Sequence, residues 1–336
     1  MPGVAVPRPA PGAAVDPIAL EPVDELLVTT LVDNVYDALL AGDERTRRVP
    51  IDVATTAAPA FDGGRTAVGL VAEHGFAALV TVRRGGTTTT LLFDTGLSPD
   101  GMLTNADRLG VDLSTVQGVV LSHGHFDHAG GLVGLGRRFG GRRLPMVVHP
   151  YALTRRRQAV PGREPWELPT LSPRALNGEG FTVVERREPS LLVDGCVLLT
   201  GEVDRTTDFE TGMQPTHQAL RDGEWVPDQL VHDDQAVVVN VRDKGLVILT
   251  GCGHAGIVNI VRYAKRLTGV DRVHAVLGGL HLRGGAVVEQ TIKALAAEAP
   301  GVVVPAHCTS FMAQHAMLAA MPDAFKPNAV GSRFEL

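Results

Sequence analysis

Short apolar runs rich in β-branched residues, bounded by Gly, Asp or Pro, recur along the chain and give way in its second half to stretches of helical period. Leu26 to Val32 has the composition of a strand. Ala77 to Val82 and Thr87 to Phe93 flank Arg83-Arg84-Gly85-Gly86, and a Gly-Gly turn between apolar runs predicts a β-hairpin. A short helix through Asn105 to Leu109 leads to a buried strand, Gly118 to Leu121, and Pro145 to His149 is another. Further strands are expected near Phe181 to Val184 and Cys196 to Thr200. A second hairpin joins Ala236 to Val241 with Leu246 to Thr250 around Arg242-Asp243-Lys244-Gly245. A helix over Ile257 to Leu267 precedes two closing strand-helix units: Val273 to Leu277 with Val287 to Ala297, and Val302 to Val304 with Gln314 to Ala320.

Three stretches break this rhythm. Met1 to Ala14 is rich in Pro, Ala and Gly and lacks both a basic n-region and an apolar h-region, so residues 1–24 are expected to form a disordered tail and not a signal peptide. Tyr151 to Pro173 reads as an irregular Arg- and Pro-rich insertion. Glu202 to His232 is polar, holds Phe209, Met213 and Trp225, and shows few helix or strand signals. A loop of that length inside a compact domain is either a functional lid or a surface insertion. The organisation expected is one domain over residues 25–336, interrupted by insertions near 151–173 and 202–232.

The 336 residues, 44% of them hydrophobic, suffice for a large core, and a formal net charge of −6 argues against nucleic-acid or membrane partners, which require clustered positive charge. No apolar stretch reaches membrane-spanning length. The basic runs, such as Arg155-Arg156-Arg157, are short enough to be solvated faces. An odd count of cysteines, Cys196, Cys252 and Cys308, cannot close a disulfide framework and fits a reducing cytoplasm. A small-molecule substrate is the partner expected, and homo-oligomer formation is left open.

The densest chemistry follows the strand Gly118 to Leu121: after Ser122, His123-Gly124-His125-Phe126-Asp127-His128 packs three histidines and one aspartate into six positions. Imidazole and carboxylate suit zinc, iron or manganese, and four such ligands on one turn divide more easily between two ions than round one. If the chain stays extended, His123 and His125 point to the same side and share one ion. Asp127 and His128, at a helix start, would hold a second.

The segment resembles the His-x-His-x-Asp-His signature of the metallo-β-lactamase superfamily, whose fold is a four-layer αββα sandwich of the α+β class with metals along one edge of its sheets. Phe93-Asp94-Thr95-Gly96 resembles that family's Phe-Asp-Thr-Gly turn, and Leu246 to Cys252 its later strand and turn. Many members place a metal-bridging aspartate where this chain has Cys252. Asp33-Asn34, Glu73-His74-Gly75-Phe76, Gly251 to Asn259, Gly278 to Leu282 and Pro305 to Thr309 narrow the resemblance. They point to a branch that includes methanopterin-precursor synthases of the ribofuranosylaminobenzene 5'-phosphate type, in which a cysteine at position 252 belongs to the pattern.

The resemblance implies two divalent ions, zinc foremost with iron or manganese also compatible, held by His123, His125, Asp127, His128, Cys252, His254 and His307. His307 follows a buried strand and takes the place of the family's last ligand histidine. His254, in a glycine-flanked turn, competes with His232 to complete the His123/His125 ion. A thiolate at Cys252 beside cations can ligate or bridge. His281 can bind substrate, donate a proton or orient a ligand, and Asp127 can orient the nucleophile. Glu202, Arg205 and His232 are candidate substrate contacts, whereas His149, His217, His274 and His315 read as ordinary. The function expected is a metal-dependent hydrolase attacking a carbonyl or phosphoryl centre. The alternatives are a synthase joining a pterin and an arylamine, and a metal-dependent binding or sensory protein without turnover.

Overall fold

The computed structural model describes residues 3–8, 16–50 and 54–336. The apolar runs assemble into two large mixed sheets packed face to face. The first places, in spatial order, Phe181–Glu185, Leu144–Val148, Val116–Val120, Thr87–Phe93, Ala77–Arg84, Glu25–Val32, Arg333–Glu335 and Thr46–Arg47. The second runs Val4–Ala5, Ser190–Leu192, Val197–Leu199, Ala236–Val241, Gly245–Thr250, Val273–Gly279 and Val302–Ala306. Both predicted hairpins form, Ala77–Arg84 pairing with Thr87–Phe93 and Ala236–Val241 with Gly245–Thr250.

Strand side chains alternate, and here both faces are apolar because both are covered. In Ala236–Val241, Val237, Val239 and Val241 enter the core between the sheets, where they join Val28, Phe76, Phe93, Val197 and Leu277. Ala236 and Val238 face outward, into a second core shared with Ile257, Val261 and Leu267 of the helix Ile257–Thr268 and Ile292 and Leu295 of the helix Ala286–Ala297. A third core packs Met102, Ala106, Leu132 and Leu135, from the helices Gly101–Arg108 and Leu132–Phe139, on the outside of the first sheet. Three apolar interfaces thus hold four layers in αββα order. No helix among the described residues is long and apolar enough to cross a membrane.

Two expectations need correction. Order begins before residue 25: Ile18, Leu20 and Val23 are buried, the Ile18 N–H donates to the Leu267 carbonyl, and Val4–Ala5 pairs with Ser190–Leu192. Residues 1–2 and 9–15 of the expected tail lie outside the described residues. The two insertions are also not irregular throughout, although residues 202–216 form no helix or strand. Arg156–Gln158 and Trp166–Glu167 from one join His217–Arg221 and Glu224–Pro227 from the other in a separate four-stranded sheet. Asp222-Gly223 makes the two-residue turn, both residues at positive φ (50° and 86°), which is the Asp-Gly hairpin signal.

The topology positions the site. Glu25–Val32, Thr87–Phe93 and Val116–Val120 run in one direction in the first sheet, as do Gly245–Thr250, Val273–Gly279 and Val302–Ala306 in the second. The residues after each strand are Asp33-Asn34, Asp94, Ser122-His123, Cys252-Gly253-His254, His281 and His307.

Candidate metal centre

Each of these strands ends in an abrupt turn. Asp94, His281 and His307 adopt positive φ (58°, 47° and 45°), a conformation few residue types tolerate, and this sends the chain back at once and leaves the side chains at the sheet edge. The turns pack so closely that a Cβ at Gly124 would overlap the Ala152 carbonyl, and one at Gly251 would lie 2.6 Å from an Asp94 carboxylate oxygen.

Proton placement at the centre follows from its hydrogen bonds. Asp94, fully buried, accepts the Ser122 backbone N–H and the Ser122 hydroxyl at 2.7 Å each, and the Nδ1 of His128 at 2.7 Å. Since the Ser122 hydroxyl proton goes to Asp94, its oxygen is left to accept, and His123 Nδ1 at 2.9 Å must be the donor. His123 and His128 are therefore both held as Nδ1–H tautomers with Nε2 facing the site. The second partner that fixes a ligand imidazole is a regular companion of metal-binding histidine.

Those Nε2 atoms meet further donors. His123 Nε2 lies 2.9 Å from His125 Nδ1, and His128 Nε2 lies 3.3 Å from Cys252 Sγ. Ligand atoms of His123, His125 and His254 fall within 4.8 Å of one another, as do those of His123, His128 and Cys252. Asp127, His307 and His74 form another such group. Cys252 also groups with His254 and His281, and with His307 and Cys308. It thus stands between the three-histidine set and the Asp127/His307 side.

These residues fit a cation. Both ring nitrogens of the buried His254 lack a hydrogen-bond partner, as does His281 Nδ1. Leaving such a group unpaired costs about 1–3 kcal/mol, which coordination would offset. Burial, reinforced by neighbouring imidazoles and, at His125, first by the Arg156 guanidinium, keeps His123, His125 and His254 well below the ordinary histidine pKa, so they are neutral lone-pair donors. Burial acts the same way on His128, but the carboxylates of Asp127 and Asp94 outweigh it and raise its pKa to about 9. Burial raises the Asp127 carboxyl, yet His128, His307 and His125 together hold it well below the carboxylate range. The field of the site draws positive charge to this point.

His307 is positioned from the first sheet. Its N–H donates to Asp33 Oδ1 at 2.7 Å, and its Nδ1 lies 3.1 Å from Asn34 Oδ1, which leaves Nε2 facing Asp127 Oδ2 at 3.3 Å. Burial pushes the Asp33 carboxyl up to about 6 in spite of these hydrogen bonds.

His254, not His232, lies with His123 and His125. Asp233 and Asp234 take the inward positions, accepting the Gly124 and Ala255 N–H groups (2.7 and 2.9 Å), and His232 turns away to Glu202 Oε1 at 3.0 Å. Glu202 is itself consumed by Arg8, Arg187 and His232. Arg205 donates to the His254 and Leu230 carbonyls. None of Glu202, Arg205 and His232 lines the cleft, so the structure does not bring these expected substrate contacts to it. His281 does line it.

The cleft over the donors has a volume of about 310 Å³, at the lower end of the ~300–1,000 Å³ typical of small-molecule sites. Phe126, Trp166, Leu168 and Met213 give it an apolar wall and Arg283 a positive charge. Trp166 meets Phe126 edge-on at 5.7 Å. Sequence reasoning missed His74 and Asp94 as members of the site, although both sit in segments that carry the resemblance. It also passed over His217, whose Nε2 lies 3.0 Å from His125 Nε2. The only local signal for that placement was the Asp222-Gly223 turn, which puts His217 on a strand.

The four-layer fold, with buried histidine and cysteine donors grouped at one edge of the sheets, defines a protein of the metallo-β-lactamase class. A model of the Metallo-beta-lactamase superfamily matches residues 72–307, and the chain belongs to that superfamily. A curated relative from Methanocaldococcus jannaschii, 7,8-dihydropterin-6-methyl-4-(beta-D-ribofuranosyl)-aminobenzene-5'-phosphate synthase, is 29% identical over 76% of this chain and 87% of its own length. An uncharacterised protein of the same organism is 30% identical over 72% of this chain and 86% of its own. A crystal structure described as a metal-dependent hydrolase of the beta-lactamase superfamily superposes with a TM-score of 0.67 at 25% identity, covering 93% of this chain and 99% of that one.

Proposed function

We propose that this protein is a metal-dependent hydrolase acting on a carbonyl or phosphoryl centre of a small molecule. The observation that carries the reading is the pair of donor sets behind one cleft, His123/His125/His254 on one side and, on the other, His74/Asp127/His307 with His128 Nε2 3.8 Å from Asp127, with Cys252 between them; His74, His125, Asp127, Cys252, His254 and His307 line the cleft. Two divalent ions held there, zinc foremost, would supply Lewis acidity and lower the pKa of water toward 7. The chain's own residues do the rest. Asp127, kept ionised, accepts a hydrogen bond from the attacking water and orients it. His281, whose Nδ1 has no internal partner, hands a proton to the leaving group. Phe126, Trp166, Leu168 and Met213 exclude bulk water, and Arg283 receives an anionic part of the substrate.

A second reading, a synthase, is favoured by the 29% identity that extends over 87% of the Methanocaldococcus relative. The exposed face of Trp166 at the cleft would suit a planar aromatic partner equally well. Metal-loaded protein screened against phosphodiesters, lactones and thioesters, beside an inactive His123→Ala/His125→Ala control, separates the two. Hydrolysis lost in the control supports the hydrolase. No hydrolysis, with condensation of a pterin and an arylamine substrate, replaces it with the synthase.

A further inference from the structure

We propose that His217, on the insertion sheet, is a positioning residue for the metal centre: it holds the proton on His125 Nε2 and so presents the lone pair of His125 Nδ1 to the ion. The inference rests on the reading of His123/His125/His254 as a metal set and is independent of the choice between hydrolase and synthase.

His217 is buried, and its Nδ1 lies 3.1 Å from the Asp228 backbone carbonyl, which can only accept. Nδ1 therefore carries the hydrogen, and Nε2 of the neutral ring is a lone pair. That lone pair faces His125 Nε2 at 3.0 Å, so the hydrogen between the two rings belongs to His125 Nε2. His125 Nδ1 is left as a lone pair, 2.9 Å from His123 Nε2, which the Ser122 relay has already fixed as a lone pair. Two lone pairs aimed at each other at that distance repel unless a cation lies between them.

The insertion sheet is anchored well enough to do this. Arg156, on the strand beside His217, is buried, donates to Asp228 Oδ2 at 2.9 Å and also pairs with Asp233. Asp233 in turn accepts the Gly124 N–H at 2.7 Å, within the metal-binding turn itself. The sheet thus grips the turn at two points, once through a carboxylate on Gly124 and once through the imidazole on His125. Outer partners of this kind typically change metal affinity 10–100-fold.

The test compares two polar variants in apo protein prepared with a chelator. His217→Gln keeps an acceptor near the Nε2 position, and His217→Asn keeps a group only near Nδ1. Zn²⁺ titrated against a chromophoric chelator is expected to show Gln close to wild type and Asn weakened about 10–100-fold at one site, with similar apo melting temperatures. Asn as tight as wild type, or both variants weakened in step with lower apo melting temperatures, overturns the proposal. Should Asn not fold, zinc-loaded wild type labelled with ¹⁵N-histidine decides directly: a protonated Nε2 on His125 supports it and a protonated Nδ1 overturns it. A wild type that binds no zinc overturns the metal reading itself.

Discussion

Replacing Asp94 with Asn conserves size and hydrogen-bonding capacity but reverses the direction of one bond at the metal centre. The backbone tolerates it, since Asn is among the residues that adopt positive φ most readily and Asp94 has φ of 58°. If the amide oxygen takes over from Oδ1 and keeps the Ser122 N–H, the amide nitrogen faces Ser122 Oγ and His128 Nδ1, both 2.7 Å away in the wild type. His128 Nδ1 must then accept, its proton moves to Nε2, and the nitrogen beside Cys252 can no longer ligate. If the amide is flipped, two N–H groups oppose each other in a fully buried place, at about 1–3 kcal/mol. Either outcome lowers metal affinity by about 10–100-fold, equivalent to about 1.4–2.7 kcal/mol. Competition against a chromophoric chelator measures this, with metal content after dialysis as a check. Wild-type affinity at every site in Asp94→Asn would refute the proton assignment on which the centre is built.

Other substitutions probe separate parts of the account. His123→Ala should abolish turnover and leave one metal equivalent fewer by elemental analysis; full activity with unchanged metal content would contradict its ligand role. Arg156→Met leaves the buried carboxylate of Asp233 without a cation and that of Asp228 with Arg221 alone, and should lower unfolding free energy by about 3–5 kcal/mol in urea, against no measurable loss if the cluster is dispensable. Burial, with Lys244, Arg45 and Arg272 nearby, lowers the pKa of His274 from 6.5 to about 4. The unfolded chain therefore binds a proton there that the folded protein refuses, so this contribution is intact above pH 6.5 and is lost as pH falls toward 4. Urea midpoints of His274→Gln should fall less between pH 7 and 5 than those of wild type, and equal falls would contradict the assignment.

Most of the sandwich was legible because its strands are apolar on both faces and its hairpins carry Gly-bearing turns, as at Arg84-Gly85-Gly86. The His123 to His128 turn and the post-strand position of His307 were legible for the same local reasons. What escaped depends on contacts distant in sequence. His217 reads as an ordinary histidine until the pairing of Arg156–Gln158 with His217–Arg221 carries it against His125, 92 residues away. His232 was a plausible ligand by position, but the inward turn of Asp233 and Asp234 displaced it to Glu202. Glu202 and Arg205 carry the charges of an anion site and spend them on Arg8, Arg187 and backbone carbonyls. Residues 16–24 looked like the end of a Pro- and Ala-rich tail, and only the groove beside Leu267 shows why Ile18 and Leu20 are buried.

The central claim is that His123, His125, Asp127, His128, Cys252, His254 and His307 form one metal centre. A crystal structure of metal-replete protein, with anomalous data collected on both sides of the zinc absorption edge, tests it most directly. The account predicts two anomalous peaks, one among His123, His125 and His254 and one beside Asp127, His128 and His307, with Cys252 Sγ between them. Peaks elsewhere, or none at this edge of the sheets, would contradict it.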